Sequence, residues 1–117
     1  MKERHIARDD EFTSDLGTKA AERALAAAGV SAEEIDMILV LTFTPDYMVP
    51  ATAAYVQRAL GATKAAACDV QSSCTGFLYG LSMAKAYVES GMFRYVLIVA
   101  AEKLSAMTDY TDRGTCV

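Results

Sequence analysis

The chain has 117 residues, enough for one domain with a buried core, and 53% of them are apolar. Its formal net charge is −4 and it has no cluster of lysine or arginine, so nucleic acid is not expected as a partner. No apolar run approaches the roughly 20 residues of a membrane-spanning helix, and residues 1–15 lack the apolar core of a signal peptide.

The cysteines are Cys68, Cys74 and Cys116, and none of them belongs to a CxxC pair. His5 is the single histidine of the chain. An odd number of widely spaced cysteines predicts neither a disulfide framework nor a zinc site. We therefore expect reduced thiols, no metal and no membrane attachment, as is typical of a cytoplasmic protein.

Helix signals open the chain. Thr13 and Ser14 are residues that cap helices, apolar residues then recur at helical spacing, and Gly29 supplies a C-terminal stop. Ser31 and Glu34 form a capping-box pair that predicts a short turn.

Three apolar segments after this turn predict strands, at residues 37–42, 65–70 and 95–100. Two helices are predicted between them, the first from about Pro50 to Leu60 and the second over residues 76–89. The second helix carries an apolar face made of Phe77, Leu78, Leu81, Ala84 and Val88.

Strands that alternate with helices predict an α/β fold with a mostly parallel sheet covered by helices. Residues 102–117 show no clear period and are predicted to form a loop. In sheets of this kind, functional residues gather at the carboxyl ends of the strands.

Cys74 follows the second strand directly, where Ser72-Ser73-Cys74-Thr75-Gly76 opens the long helix. Unpaired backbone N–H groups and the helix dipole at such a position favour the nucleophilic thiolate. A lone cysteine is more often a small buried residue, so these residues alone leave both roles open. Cys68 alternates within a strand pattern and is expected in the core, whereas the role of Cys116 stays open.

The partners that a nucleophilic cysteine needs are not evident in the chain. His5 lies in a charged segment and is expected to be a surface residue rather than a catalytic one. Arg113 either forms a weak ion pair with Asp112 or binds a phosphate or a base through its planar guanidinium. Its spacing from Asp112 favours the ion pair.

Several segments together resemble the N-terminal half of a β-ketoacyl-acyl-carrier-protein synthase III, a member of the thiolase superfamily. They are residues 2–7, Thr44-Pro45-Asp46 with Pro50, Ser72-Ser73-Cys74-Thr75-Gly76-Phe77, Ser90-Gly91, residues 101–105 and residues 109–115. The cysteine segment indicates the superfamily, and Asp112-Arg113-Gly114-Thr115 points to the synthase III branch. The resemblance covers nearly the whole chain and implies a thiolase-like fold.

By this resemblance, Cys74 accepts an acyl group from an acyl-CoA, typically acetyl-CoA. The acyl-enzyme then condenses with malonyl-acyl-carrier protein, releases carbon dioxide and starts fatty-acid synthesis. The acyl-CoA is a substrate, and no cofactor is implied. The parent enzyme is expected to be a cytoplasmic homodimer.

The same resemblance assigns three further residues. Arg113 matches the arginine that packs against the adenine end of CoA, and Leu104 matches a residue that lines the acyl pocket. Val49 matches a residue that crosses a dimer interface toward the partner's pocket, where its size is associated with the acyl group that fits.

The chain also departs from the family pattern. Residues 1–117 match a partial N-terminal thiolase-like domain that starts after the family's first strand and ends before its glycine-rich stretch. The catalytic histidine and asparagine of the family belong to the second half, and His5 does not match that histidine. We therefore expect acyl transfer to Cys74 as the most that this chain performs, without condensation.

Two other interpretations stay open. The chain could be a non-catalytic thiolase-like subunit that pairs with a longer partner, or a truncated reading frame without independent function. Relatives that make polyketides, quinolones or long-chain β-keto products share the superfamily pattern, and the preferred acyl group is not readable from these residues.

Overall fold

The computed structural model describes residue 3 and residues 5–115. The helices and strands are α1 (Thr13–Ala28), β1 (Met37–Leu41), α2 (Thr52–Leu60), β2 (Ala66–Val70), α3 (Gly76–Glu89) and β3 (Val96–Ala100). Short 3₁₀ turns lie at Ala32–Glu34, Ser73–Thr75, Leu104–Ala106 and Arg113–Thr115. The predicted alternation of helices and strands is therefore confirmed.

The three strands form one parallel sheet in the order β2-β1-β3. In the centre of the sheet, Leu39 of β1 lies opposite Cys68 of β2 and Ile98 of β3. All five residues of β1 are buried, because both faces of this strand are covered. A strand with neighbours on both sides and helices on both faces requires the uninterrupted apolar run that the sequence shows.

The core has two parts, one on each face of the sheet. Ile38 and Val40 of β1 pack with residues of α1 and α2 such as Leu25 and Val56. Leu39 lies in the cluster on the opposite face, which α3 covers. The carboxyl ends of the strands are thereby held between two layers of helices.

The side of α3 that meets the sheet differs from the predicted one. Gly76, Gly80 and Ala84 are its buried residues. Of the predicted apolar face only Ala84 is buried, whereas the four larger side chains are 48–65% exposed: Phe77, Leu78, Leu81 and Val88. The helix lies so close to the sheet at Gly80 that an added Cβ would stand 2.6 Å from Leu41 Cδ1, which leaves no room for a larger residue there.

The C-terminal ends of the helices follow the sequence signals, whereas the start of α1 does not, because Phe12 is its N-cap residue and Thr13 and Ser14 are buried in its first turn. Gly29 and Gly61 stop α1 and α2 with φ angles of 65° and 72°, a left-handed conformation that favours glycine. The predicted capping-box pair is present, since Glu34 accepts hydrogen bonds from the backbone N–H and the hydroxyl of Ser31 at 2.9 Å. The start of α2 differs from the prediction, because this helix begins at Thr52 rather than at Pro50.

Within the described part of the chain, no helix combines the length and the apolarity needed to cross a bilayer. The same residues contain no group of three histidine, cysteine, aspartate or glutamate side chains arranged to hold a metal ion.

Candidate active site

Cys74 lies in the 3₁₀ turn that connects β2 to α3, as the sequence predicts. The turn is closed by hydrogen bonds from the backbone N–H and the hydroxyl of Thr75 to the carbonyl of Ser72, at 3.2 and 2.9 Å. Ser73 has a φ angle of 44°, in the left-handed region that residues other than glycine rarely adopt. This tight turn leaves the Cys74 side chain exposed at the carboxyl edge of the sheet.

A pocket of about 180 Å³ opens beside the Cys74 thiol. Its lining residues come from the ends of β1 and β3 and from the start of α3: Leu41, Ser73, Cys74, Phe77, Ala100, Ala101 and Glu102. Most of these side chains are apolar. The pocket therefore offers a small apolar space next to a thiol.

Glu102 is the charged residue of this pocket, and its carboxylate is directed to the exit of β1. Oε1 accepts a hydrogen bond from the backbone N–H of Phe43 at 2.9 Å. Oε2 accepts hydrogen bonds from Thr42 Oγ1 at 2.8 Å, from the backbone N–H of Thr44 at 3.0 Å and from Thr44 Oγ1. The end of β1 is thus fixed to the residue that follows β3.

A larger groove of about 580 Å³ lies between the N-terminal segment and the loop after β3. Leu104 lines this groove together with His5, Ile6 and Tyr110, and Glu102 borders both the groove and the pocket at Cys74. His5 is exposed there, in agreement with the predicted surface position. The larger space therefore adjoins Leu104, whereas the smaller one adjoins the thiol.

Cys68 differs from Cys74 in its surroundings. It is half-buried on β2 and packs beside Leu39. Burial raises the pKa of the Cys68 thiol, and the negative charge of Asp69 adds to this effect. A partly buried thiol with a raised pKa is a poor nucleophile, so Cys74 is the better candidate of the two.

The other predicted site residues lie outside the pocket at Cys74. Val49 is 84% exposed in the loop before α2, next to the exposed Met48. Arg113 is exposed in the last 3₁₀ turn, where Asp112 accepts a hydrogen bond from the backbone N–H of Gly114 at 2.8 Å. Cys116 lies outside the described residues.

Two carboxylates at this edge of the sheet were not predicted to have roles. Asp69 accepts hydrogen bonds at 2.7 Å from the backbone N–H groups of Thr52 and Ala53, and Glu102 holds the exit of β1. Asp69 directly precedes the last residue of β2, and Glu102 follows β3 closely. Their positions at strand ends are a sequence signal, but their partners are distant in the chain.

A family model for 3-oxoacyl-[acyl-carrier-protein (ACP)] synthase III matches residues 68–117. Over its whole length, the chain is 54% identical to the beta-ketoacyl-[acyl-carrier-protein] synthase III of Sulfurimonas denitrificans. By these matches the chain corresponds to part of a synthase III. It spans 36% of the length of that synthase III relative.

Solved synthase III structures share the fold. The chain superposes with a TM-score of 0.92 on 3-oxoacyl-[acyl-carrier-protein] synthase III from Aquifex aeolicus VF5, with 42% identity over 97% of this chain and 36% of that one. The priming beta-ketosynthase from the R1128 polyketide biosynthetic pathway matches with a TM-score of 0.91 and 40% identity, over 94% of this chain and 33% of that one. The fold is thiolase-like, as the synthase III resemblance implies.

Proposed function

We propose that Cys74 is the nucleophile of a β-ketoacyl-acyl-carrier-protein synthase III and accepts an acyl group from acetyl-CoA or another short acyl-CoA. The observation that carries this proposal is an exposed thiol at the turn between β2 and α3, beside an apolar pocket. The match to synthase III relatives supplies the reaction class.

The size of the pocket supports a short acyl group. Its volume of about 180 Å³ is below the roughly 300 Å³ at which sites for whole small molecules begin. The walls formed by Leu41, Phe77, Ala100 and Ala101 offer apolar contacts to a methyl or short alkyl group. The bulk of the CoA molecule then lies outside this pocket.

In the first step, the Cys74 thiolate attacks the thioester carbonyl of the acyl-CoA. The new C–S bond forms as the CoA thiolate leaves, and the backbone N–H of Cys74 helps to stabilise the oxyanion. In the second step, the acyl group passes to malonyl-acyl-carrier protein with loss of carbon dioxide, which initiates fatty-acid biosynthesis.

Arg113, Leu104 and Val49 take the roles that the family resemblance assigns to them. Arg113 packs against the adenine end of CoA, and its exposure leaves the guanidinium accessible. Leu104 is the family's acyl-pocket residue by position; it lines the neighbouring groove, which shares Glu102 with the pocket at Cys74. Val49 contacts the partner's pocket in a homodimer, for which its exposure provides the required access.

The second step needs groups that these 117 residues do not contain. The family stabilises the decarboxylated intermediate with a histidine and an asparagine. This chain has no asparagine, and its one histidine is His5. We therefore propose that the chain by itself carries out acyl transfer to Cys74 and does not complete condensation.

The test is the intact mass of the chain after incubation with acetyl-CoA. We expect the wild type and Cys68→Ala to gain one acetyl group, whereas Cys74→Ala gains none. Cys68→Ala is the matched control because it also removes one thiol, from the strand β2 that leads to the Cys74 turn. Equal acetylation of Cys74→Ala and the wild type would refute the role of Cys74. Steady formation of β-ketoacyl product after addition of malonyl-acyl-carrier protein would refute the claim that the chain does not complete condensation.

A second candidate function is that of a non-catalytic subunit with a thiolase-like partner. The apolar face of α3 favours it, because Phe77, Leu78, Leu81 and Val88 are exposed. Co-purification with a chain that supplies the histidine and the asparagine would support this function. An acetylated Cys74 in the isolated chain would argue against a purely structural role.

A further inference from the structure

The carboxylate of Glu102 joins the ends of two neighbouring strands. Ala101 follows β3 and donates its backbone N–H to the carbonyl of Leu41 at 3.4 Å, which continues the sheet by one bond. At the next residue, Glu102, the side chain rather than the backbone makes the hydrogen bonds to the segment that follows β1. Its two oxygens accept hydrogen bonds from the backbone N–H groups of Phe43 and Thr44.

This arrangement requires a group that only accepts hydrogen bonds. Thr42 and Thr44 are 4% and 9% exposed, so water does not replace a lost partner easily at this place. Each oxygen of Glu102 faces a backbone N–H, and Oε2 also accepts from both threonine hydroxyls. A glutamine would set its amide NH₂ against one of the two backbone donors in either orientation. An aspartate keeps two acceptor oxygens on a shorter stem.

The link extends from Glu102 to the N-terminal segment through the next residue. The backbone N–H of Lys103 donates to Thr44 Oγ1 at 2.9 Å. The Lys103 ammonium donates to the carbonyls of Arg8, Asp9 and Glu11 at 2.9, 3.2 and 2.7 Å. The loop that carries Leu104 therefore leaves the sheet in a fixed direction.

We propose that Glu102 is a positioning residue that fixes the wall of the Cys74 pocket and thereby limits the length of the group that Cys74 accepts. Leu41, Ala100 and Ala101 form this wall, and Glu102 both borders the pocket and holds the exit of β1 in place. The inference rests on the proposed function, because the pocket would hold the acyl group. When the Glu102 hydrogen bonds are broken, the exit of β1 relaxes and the pocket admits longer groups.

The test compares the alkylation of Cys74 by iodoacetamide and by N-hexyl iodoacetamide, followed by mass spectrometry of the Cys74 peptide. In both reactions the Cys74 sulfur displaces iodide and forms an S–C bond, and its proton passes to water. The readout is the ratio of the rate constant for the long reagent to that for the short one. A general loss of stability changes both rate constants, whereas a change in pocket shape changes their ratio.

We expect Glu102→Gln to raise this ratio by about threefold or more, within the range that one or a few methylene groups contribute to discrimination. Glu102→Asp should raise the ratio by a smaller factor than Glu102→Gln does, because it keeps two acceptor oxygens, although on a shorter stem. Thr42→Val removes one donor to the carboxylate and should raise the ratio by a smaller factor, which provides a second test if Glu102→Gln does not fold.

Glu34→Gln is the matched control, because Glu34 also accepts hydrogen bonds from a backbone N–H and a hydroxyl, in the turn before β1. An unchanged ratio in Glu102→Gln and Thr42→Val, or an equal change in Glu34→Gln, would overturn the inference. Acetylation by acetyl-CoA is measured on the same samples. If the ratio shifts in Glu102→Gln but the wild type is not acetylated, the role of Glu102 is supported and the proposed function is refuted. If the wild type is acetylated but the ratio is unchanged, the proposed function is supported and the role of Glu102 is refuted.

Discussion

The contact between Gly80 and Leu41 sets how closely α3 approaches the sheet. A Cβ at Gly80 would stand 2.6 and 2.8 Å from the two Cδ atoms of Leu41, which is itself buried. A Cβ at Gly76 would stand 3.6 Å from Leu41 Cβ, an ordinary contact distance. A methyl group therefore fits at Gly76, whereas at Gly80 it would collide with Leu41.

We expect Gly80→Ala to lower the free energy of unfolding by about 1–3 kcal/mol, since overpacking outweighs the better helix propensity of alanine. Gly76→Ala is the matched control and should change it by less than about 1 kcal/mol. Urea denaturation followed by circular dichroism measures both. A Gly80→Ala variant as stable as the wild type would show that α3 shifts away from Leu41 without cost.

At this scale the sequence predicts the position of Cys74 in the fold well and the contacts of Glu102 poorly. Cys74 is marked by local features, because a strand end, small residues and a helix start are adjacent in the chain. The partners of Glu102 lie 58–60 residues away, at the exit of another strand. A contact of this kind depends on which strands become neighbours, and one residue pattern does not contain that information.

Asp36 joins the starts of β1 and β3. Its carboxylate accepts hydrogen bonds from the backbone N–H groups of Arg94 and Tyr95 at 2.8 and 3.0 Å. The hydrogen bond from Tyr95 has the largest effect and that from Arg94 the second largest, and both lower the pKa of Asp36 below its ordinary value. A lowered pKa in the folded state means that Asp36 stabilises the fold above its unfolded pKa, and that this contribution is lost as the pH falls through the lowered value.

We expect Asp36→Asn to unfold at a lower urea concentration than the wild type at neutral pH. The difference should shrink as the pH falls through the acidic range, because the wild-type carboxylate becomes protonated while the amide does not titrate. Urea midpoints measured from about pH 6 down to about pH 2 provide the test. A difference that stays constant over this range would contradict the role given to the charge.

Asp69 connects β2 to the start of α2. Both carboxylate oxygens accept hydrogen bonds from the first backbone N–H groups of the helix, at 2.7 Å. We expect Asp69→Ala to cost about 1–2 kcal/mol of unfolding free energy, the usual effect of removing a cap from a helix N-terminus. Asp69→Asn should cost less, because its amide keeps one acceptor oxygen. Equal stability of Asp69→Ala and the wild type in urea would contradict this assignment.

The elements themselves are well predicted where the signal is local. The run of apolar residues in β1, the glycines at 29 and 61 and the Ser31–Glu34 pair each act within a few residues of their own position. The prediction of the buried face of α3 is wrong, because it assumes that the largest apolar side chains form the core. The sheet instead selects Gly76, Gly80 and Ala84, which permit a close approach.

At the scale of the molecule, α3 is apolar on more than one side. Its small residues face the sheet together with Met83 and Tyr87, which pack against the core, whereas four other large apolar residues face outward: Phe77, Leu78, Leu81 and Val88. A helix that is apolar all round is typical of a helix covered on both sides. The outward face of α3 is therefore expected to bind hydrophobic probes or other chains.

We expect the double variant Leu78→Lys, Leu81→Lys to bind less of a hydrophobic dye and to associate less with increasing concentration than the wild type. The two leucines are 65% and 51% exposed, so their replacement should change the free energy of unfolding by less than about 1 kcal/mol. Light scattering, dye fluorescence and urea denaturation measure these effects. A large loss of stability would show that these side chains pack within the chain.

The central claim is that Cys74 accepts an acyl group from acyl-CoA, and the site of acetylation tests it most directly. After incubation with acetyl-CoA and a brief digestion with trypsin at neutral pH, the peptide between Lys64 and Lys85 contains both Cys68 and Cys74. Fragmentation of this peptide in the mass spectrometer assigns the acetyl group to one of them. We predict an acetyl thioester on Cys74 that neutral hydroxylamine removes, with Cys68 unmodified. Acetyl groups on Cys68 or on lysines alone, with Cys74 free, would contradict the claim.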